Sequence, residues 1–166
     1  KSSVIRIGKR FKHACTPLTV CSDLLKCVEE VKYLGVYFVA GTHFIVNIDK
    51  NKSKFFAAVN GILSKCGCYM NEMVTVLLIN TFCRPVLLYG CDSVPLPKSY
   101  VDRLSHSWNR IYWRLFNVND SQCIADIQSF MCDISIHDDI IIRRDRFLRR
   151  VKASTNEILC LLSKLV

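Results

Sequence analysis

The stretch Asn47-Ile48-Asp49-Lys50-Asn51-Lys52-Ser53-Lys54-Phe55-Phe56, continued through Val59, Ile62, Leu63 and Cys66 to Gly67, is where the chain changes character. From Phe55 onward its apolar residues recur at intervals of three and four, the spacing of one helix face. Asp49 or Asn51 is placed to cap the start of that helix, and Gly67 to end it. Before this stretch the apolar residues form short β-branched runs; after it they follow helical patterns. Strands first and helices afterwards predict an α+β fold, with a small N-terminal β-meander, a predominantly helical region and a helical C-terminal tail. The predicted divisions are residues 1–46, 47–118 and 119–166.

Working backwards, Val4 to Ile7 reads as a strand, and Leu18 to Cys21 with Leu24 to Val28 reads as a hairpin turning on Ser22-Asp23. Lys32 to Val39 is a third strand pattern, closed by Gly41. Working forwards, Asn71-Glu72 opens an apolar segment that Pro85 should interrupt. Met73 to Cys91 is mostly apolar, but Arg84 and Pro85 lie inside it, so a buried core helix is expected rather than a membrane span. Pro95-Leu96-Pro97 marks a break. Beyond it, Val101, Leu104, Trp108, Ile111 and Leu115 form the apolar stripe of a long helix, with Arg103, Arg110 and Arg114 off that stripe. Asn117 to Ser121 is a linker, and helices are predicted over Gln122–Met131, His137–Ala153 and Asn156–Leu165.

The 166 residues are 51% hydrophobic and 22% charged, a globular composition that excludes disordered and collagen-like classes. The net charge is +9, and most of the excess lies in the first hundred residues, which points toward polyanionic partners. The chain starts at Lys1 rather than Met, so a processed chain or a piece of a longer one is expected, and the charged start does not resemble a signal peptide. Ten cysteines occur without any C-x-x-C pair. Reduced, buried thiols in an intracellular protein are expected, not a disulfide framework or a zinc site.

Little in the chain resembles a self-contained catalytic site. His13, His43, His106 and His137 are scattered, and no phosphate-binding glycine loop occurs. Asp138-Asp139 is the one adjacent carboxylate pair, and it falls where a helix should begin, so Ser135 or Asp138 is expected to cap that helix. The basic runs are more informative. Lys50, Lys52 and Lys54 open the first helix and could follow phosphates, or could be an ordinary solvated helix start. The run from Arg143 to Lys152 reads equally as a salt-bridged surface helix or as a face for nucleic acid.

Four stretches carry a family likeness. They are Lys1-Ser2-Ser3-Val4-Ile5-Arg6-Ile7-Gly8, Val31-Lys32-Tyr33-Leu34-Gly35-Val36-Tyr37-Phe38, Lys54-Phe55-Phe56 with Asn60-Gly61-Ile62-Leu63, and Arg84-Pro85-Val86-Leu87-Leu88-Tyr89-Gly90. In this order they resemble the C-terminal part of the reverse transcriptase of LINE-type, non-long-terminal-repeat retrotransposons, over about residues 1–118. The resemblance implies that 1–46 is the end of the palm, that 47–118 is thumb-like, and that the helical tail follows.

The resemblance also implies what the chain does and lacks. The intact enzyme would copy RNA into DNA using Mg²⁺ held by an aromatic-x-Asp-Asp turn and a further aspartate, all upstream of Lys1. Ile136-His137-Asp138-Asp139 lacks the aromatic residue and comes in the wrong order, so this portion is expected to be inactive alone and to need no cofactor itself. Its implied partners are an RNA/DNA template-primer and the missing palm and fingers, with no membrane, in the nucleus or cytoplasm. The implied contacts are Lys50, Lys52 and Lys54 along the duplex backbone, Tyr33, Leu34 and Gly35 as a hairpin near the primer end, and Lys1 near the nucleotide site. For Tyr33 and Leu34 the competing reading is a core strand and a turn. Strands cut from their palm partners should also leave the isolated chain prone to association. The alternatives are a thumb-derived nucleic-acid-binding module and a helical protein-interaction module.

Overall fold

The computed structural model describes residues 2–13, 16–20, 22–66, 71–156 and 158–159. Lys1, Gly67, Cys15, Cys21, Cys68, Cys160 and most of the helix expected over 156–165 lie outside them. Among the described residues the chain is mixed α+β, with short strands in small sheets followed by six helices. It divides into two compact units, Lys1–Lys50 and a second from Asn51 onward.

Among its described residues the first unit holds seven short strands. β1 (Ser3–Val4) pairs in parallel with β4 (Lys26–Cys27), and β2 (Thr19–Val20) pairs antiparallel with β3 (Asp23–Leu24). The expected turn at Ser22-Asp23 is displaced by one residue. Asp23 is already paired with Val20, and Ser22 takes the positive φ (72°) that a tight hairpin needs. The strand expected over Lys32–Val39 is instead two strands, β5 (Glu30–Tyr33) and β6 (Val36–Val39), joined through Leu34-Gly35. Both turn residues have positive φ, 46° and 84°, the signature of a type I′ turn. β7 (Ile45–Val46) completes an antiparallel sheet in the order β5-β6-β7. The meander expected for the N-terminal region is therefore this three-stranded sheet alone.

Helix α1 (Ile48–Cys66) begins before both expected caps, one residue ahead of Asp49 and three ahead of Asn51. Asn47 does the capping: its side-chain oxygen accepts the Asp49 N–H at 3.0 Å. Asn51, expected as a cap, is buried inside the helix and donates to the Tyr89 carbonyl at 2.8 Å. α2 (Glu72–Phe82) is capped by Asn71 and stops just before Arg84-Pro85, which begin α3 (Arg84–Leu87). Proline lacks the N–H that would continue the ladder but fits the first turn of a new helix. α4 (Lys98–Phe116) follows Pro97 and ends on Asn117 in the left-handed conformation, with φ 53°. α5 (Ser121–Phe130) and α6 (Ile136–Lys152) are capped by Asp120 and Ser135.

The core of the second unit is the predicted stripe of α4 and what faces it. Leu104, Trp108, Ile111 and Tyr112 are buried, as are Phe55 and Val59 of α1, Val76 and Ile79 of α2, and Ile124 of α5. Each such side chain contributes roughly 1.5–3 kcal/mol on leaving water. α5 and α6 both pack on α4, so the division expected at residue 118 falls inside one unit. Among the described residues no helix is long and apolar enough to cross a membrane.

Candidate nucleic-acid interface

The three lysines that open α1 do not form one row. A helix turns about 100° per residue, so an alternating pattern sends Lys52 to the side opposite Lys50 and Lys54. Lys50 lies in the first unit, its Nζ 5.7 Å from the Tyr37 ring centroid, a ring that Lys32 also approaches at 5.7 Å. Lys54 is exposed. Lys52 instead shares a row with Phe56 and Asn60 at intervals of four.

Tyr33 and Leu34 are 65% and 75% exposed at the tip of the β5–β6 hairpin, so they are not core residues. Gly35 suits its positive φ, whereas a leucine there costs roughly 1–2 kcal/mol. The tip thus presents an aromatic and an aliphatic side chain on a turn held against that cost.

The structure also brings together residues that the sequence analysis noted but did not place in a site. Arg103, Arg110 and Arg114 fall at intervals of seven and four, which aligns them along about 16 Å of α4. Arg110 and Arg114 border a groove of about 480 Å³ between α1 and α4. Phe56 and Asn60 form the other wall. Arg110 lies over the Phe56 ring at 5.6 Å, and Arg114 donates to the Asn60 side-chain oxygen at 2.7 Å. Trp113 also lines the groove, its ring edge-on to His106 at 5.0 Å. The seven-and-four spacing was the available signal. It was overshadowed by the denser lysines of α1.

The Asp138-Asp139 pair divides its work. Asp138 completes the cap: Ser135 Oγ accepts its backbone N–H at 3.1 Å and donates to its carboxylate at 2.7 Å. Asp139 is not spent on the cap. It accepts from Arg84 Nε and from Arg143 Nε, each at 2.7 Å. Arg84 is 4% exposed and also donates to Asp133 and to the Ile134 carbonyl, while its guanidinium faces the Trp108 ring at 5.0 Å. Asp133 in turn accepts from Trp108 Nε1 at 2.8 Å, the Tyr112 hydroxyl at 2.6 Å and Asn80 at 3.2 Å. Burial, and then its bond to Asp133, push the Tyr112 phenol above its ordinary pKa.

These carboxylates are therefore committed to arginines and caps, and they do not fit the two-metal site that nucleotidyl transfer requires. Among the described residues no three His, Cys, Asp or Glu side chains converge on a possible ion. The basic run on α6 is partly salt-bridged, through Arg143–Asp139 and Arg149–Asp145, while Arg144, Arg146 and Arg150 are exposed. Of the described cysteines, Cys83 and Cys91 are buried as expected, but Cys27, Cys123 and Cys132 are exposed. Burial pushes the Cys91 thiol up to about 12 and raises that of Cys83. No protein-family model matches the chain, and no curated protein or solved structure is significantly similar to it.

Proposed function

We propose that this chain is the palm-end and thumb portion of a retrotransposon-type reverse transcriptase, and that it grips an RNA/DNA template-primer without carrying the catalytic carboxylates. The observation that carries the reading is the Tyr33-Leu34-Gly35 tip, an exposed turn that keeps a leucine at positive φ. A largely exposed side chain kept in a backbone conformation that costs stability fits a contact made with something else. The order of the four family-like stretches, the lysines that open α1 and the arginine stripe of α4 support the same reading. In this role Lys50 and Lys54 face phosphate, Lys52 continues toward the α4 arginines, and the hairpin tip lies against the primer end. Lys1 near the nucleotide site belongs to the same proposal. The Mg²⁺ and the chemistry belong to an upstream palm, with nuclear or cytoplasmic location following from the enzyme class.

The test is the affinity of the whole chain for an RNA–DNA hybrid across a salt series. Expected are binding that weakens steeply with salt, and a slope reduced by about one per phosphate-facing lysine reversed, using Lys54→Glu. Binding that ignores salt, or no binding, overturns the reading. One observation favours the protein-interaction alternative in that event: α2 exposes Met73, Val74 and Leu77, neighbours at helical spacing, and Phe82 near its end.

A further inference from the structure

The groove between α1 and α4 has features that tracking a duplex backbone does not use. Its charge is unspent: among the described residues neither Arg110 nor Arg114 pairs with a carboxylate. Its indole donor is unsatisfied: Trp113 Nε1 is buried and has no hydrogen-bond partner. A buried N–H left in that state is unfavourable, and an acceptor brought by a ligand would satisfy it. Its size of about 480 Å³ falls within the range of small-ligand sites. One wall is the Phe56 ring, now covered by the Arg110 guanidinium at 5.6 Å.

The ligand that uses all of these together carries an anion, a hydrogen-bond acceptor and a flat ring. We propose that the groove holds a single unpaired nucleotide, a conclusion that rests on the nucleic-acid reading above. Its phosphate lies between Arg110 and Arg114, which stand one helical turn apart and present forked donors suited to phosphate oxygens. Arg110 then exchanges its contact with the Phe56 ring for the stronger charge-assisted bond to phosphate and uncovers that ring for the base. An acceptor on the base or sugar receives the Trp113 N–H. Inorganic phosphate alone would leave the ring and the indole unused. Because the groove reads a nucleotide rather than a paired helix, a single strand and a free mononucleotide share the required chemistry.

Indole emission of the full chain distinguishes these sources. The probes are a short oligodeoxyadenylate, adenosine monophosphate and inorganic phosphate. Trp108 is buried and hydrogen-bonded to Asp133, so it supplies a background that Trp113→Phe exposes. Saturable change of Trp113 emission is expected, lost in Trp113→Phe, with affinity about tenfold weaker or more in Arg110→Glu, whose position is exposed and leaves the fold intact. Response to the monophosphate identifies a free-nucleotide site, and response to the oligonucleotide alone identifies a strand site. The proposal is overturned if inorganic phosphate binds as well as the monophosphate, if no probe changes the emission, or if Arg110→Glu has no effect. Hybrid binding that depends on Lys54 while Arg110→Glu and Trp113→Phe are silent removes the nucleotide site and leaves the gripping role. Nucleotide binding without hybrid binding does the reverse.

Discussion

The two units of the chain differ in what they do with buried charge and with strained backbone. The unit from Asn51 onward buries its difficult charges and surrounds them. Arg84 meets Asp133, Asp139 and the Ile134 carbonyl, and Asp133 is closed off by Trp108, Tyr112 and Asn80. The unit formed by Lys1–Lys50 leaves its difficult residues outside. Leu18, Val20, Leu24, Tyr33 and Leu34 are all exposed, and Leu34 sits in a backbone conformation that leucine disfavours. A buried ion pair is kept only when every partner is present, whereas an exposed strained turn can be relaxed by one substitution. Internal bonding therefore accounts for Arg84, Asp133 and Asp139 in the first of these regions, though not for the buried Trp113 Nε1. The exposed apolar residues of the second, at the β5–β6 tip above all, are where the binding role is proposed.

The largest expected effect breaks the buried side of this contrast. Arg84→Ala removes the cation and leaves Asp133 buried among neutral donors, and should cost about 3–5 kcal/mol. Urea unfolding followed through Trp108 emission measures it. Arg84→Lys should recover little of the loss, because a single ammonium cannot reach two carboxylates and a carbonyl with the fork's geometry. A loss below about 1 kcal/mol would mean that the pairing is only peripheral to stability.

A second prediction uses pH. The Cys91 thiol has its folded pKa raised from 9.0 to about 12, so the folded state holds its proton where the unfolded chain has released it. Stability is full below pH 9.0 and falls as pH rises from there to about 12. The slope should approach about 1.4 kcal/mol per pH unit. The raised phenol of Tyr112 adds a decline in the same direction once the unfolded chain loses that proton, near pH 10.0. Cys91→Ala should remove its share of the decline that begins at pH 9.0, leaving the share of the raised Cys83 thiol, read as denaturation midpoints across the series.

The smallest effect sharpens the exposed side. Leu34→Asn keeps a residue that tolerates positive φ and should stabilise the β5–β6 hairpin by about 1 kcal/mol. The same variant should weaken binding of an RNA–DNA hybrid if the leucine is held there for contact. Stabilisation without any change in binding would reduce Leu34 to a tolerated imperfection. Amide exchange of the hairpin and the hybrid's dissociation constant are the two readouts.

Much of the helical half was legible because its signals are local. The three-and-four spacing of Val101, Leu104, Trp108 and Ile111 gave α4, Pro85 gave the α2–α3 break, and Ser135 gave the start of α6. The strands were read less well. Periodicity merged β5 and β6 because Leu34-Gly35 lacks the usual Asn-Gly signal, even though it forms the same turn. Lysines counted along the sequence suggested one patch, and helical geometry divides it.

The sequence by itself determined the order of strands and helices, the apolar stripes, the breaks and the Ser135 cap of α6, because each depends on residues within a few positions of one another. Only the tertiary structure decided what Arg84, Asp133 and Asp139 do, and that Phe56, Asn60, Arg110, Trp113 and Arg114 share a groove. Arg84 lies 49 residues from Asp133 and 55 from Asp139, and Asn60 lies 54 from Arg114. Over such separations chain proximity fixes nothing. The packing of α1, α2, α5 and α6 around the α4 stripe sets the distances, and with them which charges are consumed inside and which remain for a ligand.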